Sequence, residues 1–176
     1  MKWCEIPEFT SVGNYEINSP LDFLEDSILR YEQDYGLQLN PDFQRGHVWN
    51  THQQERYVEY FLKCGQSGRV IYFNKPSWQG NATSSYDDFV CVDGLQRITA
   101  LRLFIKNEIK AFGQYKGEFG DSIRPSRAVD NLRLNINNLK TKQEVLEWYI
   151  QLNSGGVVHT EEEISRVRLM LDNEVK

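Results

Sequence analysis

No stretch of about 18 consecutive apolar residues occurs in the 176-residue sequence, so no transmembrane helix is expected. The opening Met1-Lys2-Trp3-Cys4-Glu5 lacks the apolar segment of a signal peptide. Cysteines number only three, an odd count without metal-ligand spacing. Cys64 and Cys91 lie in apolar segments, which reads as buried free thiols in a reducing cytoplasm. The Asn81-Ala82-Thr83 sequon then carries no meaning. The three histidines make no zinc site: His47 and His52 straddle a loop–helix junction, and His159 stands among polar residues. No Ser-His-Asp or Cys-His arrangement is legible, and no Walker-type phosphate loop occurs. Internal repeats and low-complexity segments are absent.

What remains is an ordinary globular composition, 40% hydrophobic and 26% charged, long enough for one domain with a real core. The net charge of −5 argues against a dedicated non-specific DNA-binding surface. The charge is uneven. Residues 1–34 carry two basic and eight acidic residues, whereas residues 93–133 carry eight basic and five acidic ones.

Hydrophobic periodicity and end signals give the elements. Ser19-Pro20 caps a helix running to about Tyr35 and stopped by Gly36. Leu37–Asn40 reads as a short strand ended by Pro41. Thr51 caps a second helix with Tyr57, Val58, Phe61 and Leu62 on its apolar side, closed by Gly65. Arg69–Phe73 is a strand rich in β-branched and aromatic residues. Residues 74–88 read as an exposed loop, followed by a strand Phe89–Val92 and a helix from about Arg97 to Phe112. Gly113–Asp130 is irregular. Leu132–Ile136 alternates as a half-buried strand should. Thr141 opens a helix that stops at Asn153-Ser154-Gly155-Gly156, and Thr160 with Glu163 forms a capping box for a last helix to about Leu171. The expected fold is α+β, a small mixed sheet of short strands packed with about five helices.

Three polar clusters fall at element boundaries. In Asp93-Gly94-Leu95-Gln96-Arg97, a strand meets a helix N-terminus with its free N–H groups and partial positive charge, which suits a phosphate. Gly94 lets a ligand approach the backbone, Arg97 offers a planar fork, and Asp93 accepts from a ribose hydroxyl, a hydrated Mg²⁺ or a water. The plain alternative is an Asp-Gly turn whose arginine pairs with a surface acid. In Pro41–Trp49, Arg45 sits beside Gln44, Phe43 and Trp49; the aromatics read as core. In Gln151–Gly156, a Gly-Gly turn offers backbone N–H groups, or simply connects two helices.

Phe43-Gln44-Arg45 with Val48-Trp49, then Val92–Leu101, then Leu152–Gly156 with Glu161–Glu163, in this order, resemble the N-terminal domain of GmrSD-type restriction endonucleases. The resemblance spans about residues 15–171 and treats residues 1–176 as a single domain. It implies a place in the ParB/sulfiredoxin-like superfamily, whose related motif holds nucleotide phosphates at a helix start, and an activity of NTP hydrolysis coupled to sensing modified or foreign DNA. On that basis Asp93, Gln96 and Arg97 are the expected catalytic residues. Gln44, Arg45, Gly94, Arg97, Thr99 and Asn153 are the expected nucleotide- and phosphate-binding residues. The expected ligand is an NTP, with or without Mg²⁺, and no metal held by the protein alone. Expected partners are the nucleotide, DNA and a separate nuclease or effector protein, but no membrane.

Two departures qualify the resemblance. Leu95 replaces the first glutamine of the Asp-Gly-Gln-Gln-Arg motif, so NTP binding with poor hydrolysis is one expectation. The sequence to Lys176 has no room for the downstream HNH nuclease domain, so this chain by itself is not expected to cut DNA by that route. The alternatives are a DNA-binding module without catalysis, and a protein-interaction factor, phage-encoded or otherwise, with a degenerate nucleotide site.

Overall fold

The computed structural model describes residues 15–78, 85–120, 131–154 and 161–174. Four strands, β1 (Tyr15–Pro20), β2 (Val70–Asn74), β3 (Val90–Asp93) and β4 (Asn131–Asn137), form one sheet in the order β1-β4-β2-β3. The β1–β4 and β2–β3 pairs are antiparallel and the central β2–β4 pair is parallel. Among the described residues, five α-helices accompany it: α1 (Leu21–Tyr35), α2 (Thr51–Leu62), α3 (Leu95–Ile105), α4 (Lys142–Ser154) and α5 (Glu161–Glu174), with a 3₁₀ turn at Lys116–Glu118. The fold is α+β with a small mixed sheet.

Period-two alternation splits the sheet between two cores. Ile71, Phe73, Cys91, Leu132, Leu134 and Ile136 join α1, α2 and α3 in one cluster. Val90, Val92 and Tyr72 join Phe43 and the α4–α5 residues Val145, Leu146, Trp148, Tyr149 and Val167 in the other. Strand β3, packed on both faces, therefore places its C-terminal residue Asp93 between the two layers of helices.

The departures from the sequence expectations have local causes. Strand β1 was not anticipated; it takes Ser19, the expected helix cap, into the sheet opposite Leu132. There the Ser19 hydroxyl is buried without a partner among the described residues, and Pro20 with φ −60° opens α1 instead. The expected strand Leu37–Asn40 shrinks to one bridge between Gln38 and Val90. The cap of α2 is Asn50, not Thr51, in a reciprocal capping box with Gln53. Helix α3 starts at Leu95 and ends at Ile105 rather than running to Phe112. Asn107 adopts φ +60° just beyond it, and the Glu108 N–H returns to the Leu103 carbonyl at 2.8 Å, a left-handed stop that apolar periodicity does not register. The last helix continues to Glu174 rather than Leu171. Gly155, Gly156 and the expected Thr160 cap lie outside the described residues.

Candidate functional site

The site forms where β3 ends. Gly94 takes φ +114°, a left-handed conformation, and is the N-cap residue of α3. A Cβ there would lie 2.5 Å from Ile71 Cδ1 and 3.0 Å from its Cγ2, so the turn needs glycine for both conformation and space. Gly94 has no side chain with which to cap α3, and the first helical N–H, that of Leu95, donates to the buried Cys91 sulfur. The 45–49 segment lies beside this helix start, joined to it through the Gln96 side chain.

Arg97 lies one turn into α3. It donates to the Val70 carbonyl at 2.7 Å and to the Asp93 carboxylate, using two of its five N–H groups. Burial opposes the guanidinium charge, but the Asp93 carboxylate outweighs that effect and raises the pKa further above its ordinary value. The Asp93 side chain stays one-third exposed, at 33%, so its carboxylate faces both Arg97 and solvent. Tyr57 packs beside the pair. Burial pushes its hydroxyl up to about 12, against the pull of Arg97 and Arg69, and it donates to the Gly68 carbonyl at 2.8 Å.

Gln96 faces the opposite wall. Its amide donates to the Gly46 carbonyl at 2.7 Å, and its oxygen accepts from the backbone N–H groups of Val48 (3.0 Å) and Trp49 (3.1 Å). Gln44 fixes the same segment from its other end, donating to the carbonyls of Cys91 (3.1 Å) and Val92 (3.0 Å). Because β3 is the edge strand, those contacts extend a pairing begun by the Gln38 backbone, whose N–H donates to Phe89 and whose carbonyl accepts from Cys91. Segment 38–49 therefore runs along the open edge of β3 and ends as a lip beside the α3 N-terminus. Arg45, half-buried, stands on that lip between Gln44 and Gly46, whose φ is +74°.

The structure thus brings together Gln44, Arg45, Asp93, Gly94, Gln96 and Arg97. The other two expected residues bond within their own helices. The Thr99 hydroxyl donates to the Leu95 carbonyl at 2.8 Å and lines a separate cavity of about 240 Å³ with Arg102, Leu103 and Lys106. The Asn153 amide donates to the Tyr149 carbonyl at 2.7 Å. Leu95 is buried at 7% exposure, so the position where the family motif has glutamine is filled by apolar bulk.

Sequence reasoning missed Arg166. From α5 it donates to three successive carbonyls, Asp42 (2.9 Å), Phe43 (2.7 Å) and Gln44 (3.1 Å), and ties the base of the lip to the far helical layer. Lys142 adds an ion pair with Asp42 at 2.9 Å. No local signal identifies either role, because both partners lie about a hundred residues away or more. Among the described residues, no group of three or more His, Cys, Asp or Glu side chains is placed to hold a metal ion, and no helix is long and apolar enough to cross a membrane.

The domain is thus an α+β module with a polar turn at a helix start and a pinned lip beside it. The family model described as "GmrSD restriction endonuclease, N-terminal domain" matches residues 24–131, more than half of the chain, and the chain belongs to that family. Its match covers the first two clusters, Phe43–Trp49 and Asp93–Arg97. Membership points to a role in restriction or phage-defence systems. No curated protein and no solved structure matches the chain.

Proposed function

We propose that this chain is a nucleotide-binding sensor domain of a restriction or phage-defence system, working with a separate nuclease or effector. The observation that carries the reading is the Asp93–Arg97 pair at the foot of α3, beside a helix start whose N-cap residue is a glycine. Phosphate would sit at the α3 N-terminus, where backbone N–H groups, the helix dipole and the Arg97 guanidinium converge, with Arg45 reaching from the lip. Asp93 offers the exposed carboxylate that would orient a water or a phosphate-bound Mg²⁺. A Mg²⁺ would arrive with the nucleotide, because Asp93 is the one carboxylate of the turn. Gln96, with both ends of its amide on the lip, acts as a positioning residue, and Leu95 adds no polar group. The reading therefore favours binding over fast hydrolysis, and the placement in the ParB/sulfiredoxin-like superfamily belongs to the same proposal.

A thermal-shift panel of NTPs with and without Mg²⁺, followed by calorimetry on the ligand that stabilises, tests the reading. Asp93→Asn and Arg45→Ala are the informative variants. Arg97→Ala would also strip a buried hydrogen bond from Val70, so Arg97→Lys is the better probe of charge against geometry. Binding that weakens in these variants while the melting temperature of the free protein holds supports the proposal; a full panel without any stabilisation overturns it.

A further inference from the structure

Beyond the far end of α3, residues 111–114 form a tight two-residue turn. The Ala111 N–H donates to the Gln114 carbonyl at 2.9 Å and the Gln114 N–H returns to Ala111 at 3.0 Å. Both central residues have positive φ, Phe112 at +52° and Gly113 at +78°. Such a turn normally takes Asn, Asp or Gly at its first central position, and a bulky aromatic there is strained. The ring gains little burial in return, since Phe112 is 45% exposed. The fold nevertheless builds the turn deliberately. Glu59 of α2 accepts from the Phe112 N–H at 2.9 Å, Glu55 from the Lys110 N–H at 3.4 Å and Glu118 from the Tyr115 N–H at 2.7 Å, so these three carboxylates are turned onto the main chain. Two exposed cations flank the tip: the Lys63 ammonium lies 5.0 Å above the Phe112 ring, and the Lys110 ammonium 4.8 Å above the Tyr115 ring.

We infer that the Phe112 tip is a contact point for single-stranded nucleic acid, with the ring stacking on one base and Lys63 and Lys110 meeting the adjacent phosphates. A residue unfavourable both in conformation and in exposure is retained for what it presents to a partner. An aromatic ring flanked by ammonium groups matches an unpaired nucleotide strand, which has a π face at every base and a phosphate beside it. One face of the ring is already covered by Lys63, so it stacks on one base rather than entering between two paired ones. The tip is held by Glu55 and Glu59 of α2, neither of which belongs to the nucleotide site. It is therefore a second surface, independent of the nucleotide site.

The test is fluorescence anisotropy with labelled oligothymidylate, the matching oligoribonucleotide and a blunt duplex at low salt. Phe112→Asn relieves the left-handed strain and removes the ring. We expect it to weaken single-strand binding about tenfold while leaving the melting temperature unchanged or higher. Phe112→Trp restores binding. Lys63→Gln and Lys110→Gln each lower the salt dependence by roughly one ion. No single-strand binding at low salt, equal affinity in Phe112→Asn, or tighter binding to the blunt duplex than to the single strand overturns the inference. So does a fall in stability on Phe112→Asn, which would mark the ring as structural. NTP calorimetry on the same variant should be unmoved, so the nucleotide site and the tip fail separately.

Discussion

The side-chain amide of Gln96 is bound to the main chain of Gly46 across fifty residues of sequence, at 2.7 Å, and its oxygen holds the Val48 and Trp49 N–H groups of the same lip. A residue that reads as catalytic in the motif is thus engaged at both ends in joining two motifs to each other. The first and second polar clusters form one unit because Gln96 and Gln44 bond them from opposite sides.

Replacing Gln96 by leucine should leave the Gly46 carbonyl and the Val48 and Trp49 N–H groups without their partner. The expected loss is about 2 kcal/mol of stability, read from denaturant midpoints. Amide exchange at residues 46–49 should speed up more than exchange in β2 or β4. Gln96→Glu keeps the acceptor but loses the donor, so it should restore the Val48 and Trp49 bonds and leave the Gly46 carbonyl unmatched.

Gly94→Ala forces a Cβ to within 2.5 Å of Ile71 Cδ1 at a backbone φ of +114°. Both effects oppose folding, and a loss of about 3 kcal/mol or more follows from strain and overpacking together. Ile71→Val removes the clashing methyl. Measured against Ile71→Val alone, Gly94→Ala should then cost less than it does in the wild type, while the Cγ2 contact at 3.0 Å and the conformational part remain.

The α1–α3 interface carries an acid-sensitive ion pair. Burial acts against ionisation of Glu25, but hydrogen bonds and charge from Arg102 and Lys106 outweigh it, so the folded pKa lies below the ordinary 4.5. With a depressed folded pKa, the stabilising contribution is present above 4.5 and is lost as pH falls through the folded value. Glu25→Gln should therefore destabilise most near neutrality. The difference from wild type should shrink in urea titrations carried below pH 4.5.

Cys91 is fully buried, and burial pushes its thiol well above the ordinary range, with the nearby Asp93 carboxylate adding to the effect. Its alkylation should follow global opening and not the thiolate fraction of the folded state. Peptide mapping after iodoacetamide treatment should find Cys91 protected while the half-buried Cys64 reacts. Rapid labelling of Cys91 at native pH would show local opening of the β3 edge.

Much of the fold is legible because its signals are local. The β-branched run before Asn74, the apolar repeat of Tyr57, Val58 and Phe61, and Gly36 with its positive φ all act within a few residues. The misses arise where a local signal competes with a distant partner. Ser19 is a good cap by type, yet its backbone pairs with Leu132. Apolar Ile109 continues the α3 pattern and is buried, yet Asn107 has already ended the helix.

The sequence by itself determined the three polar clusters, the α+β class and the family, because each depends on residue types at short spacing. Only the tertiary structure decided how those clusters are used. Gln44 and Gln96 brace a lip, Arg166 anchors it from α5, Thr99 and Asn153 turn back onto their own helices, and Asp93 and Arg97 are left facing each other at a helix start with glycine as its N-cap. The physical reason is that a polar side chain bonds to whichever group the fold brings within about 3 Å, and for a loop along a sheet edge those groups come from strands and helices far away in the chain.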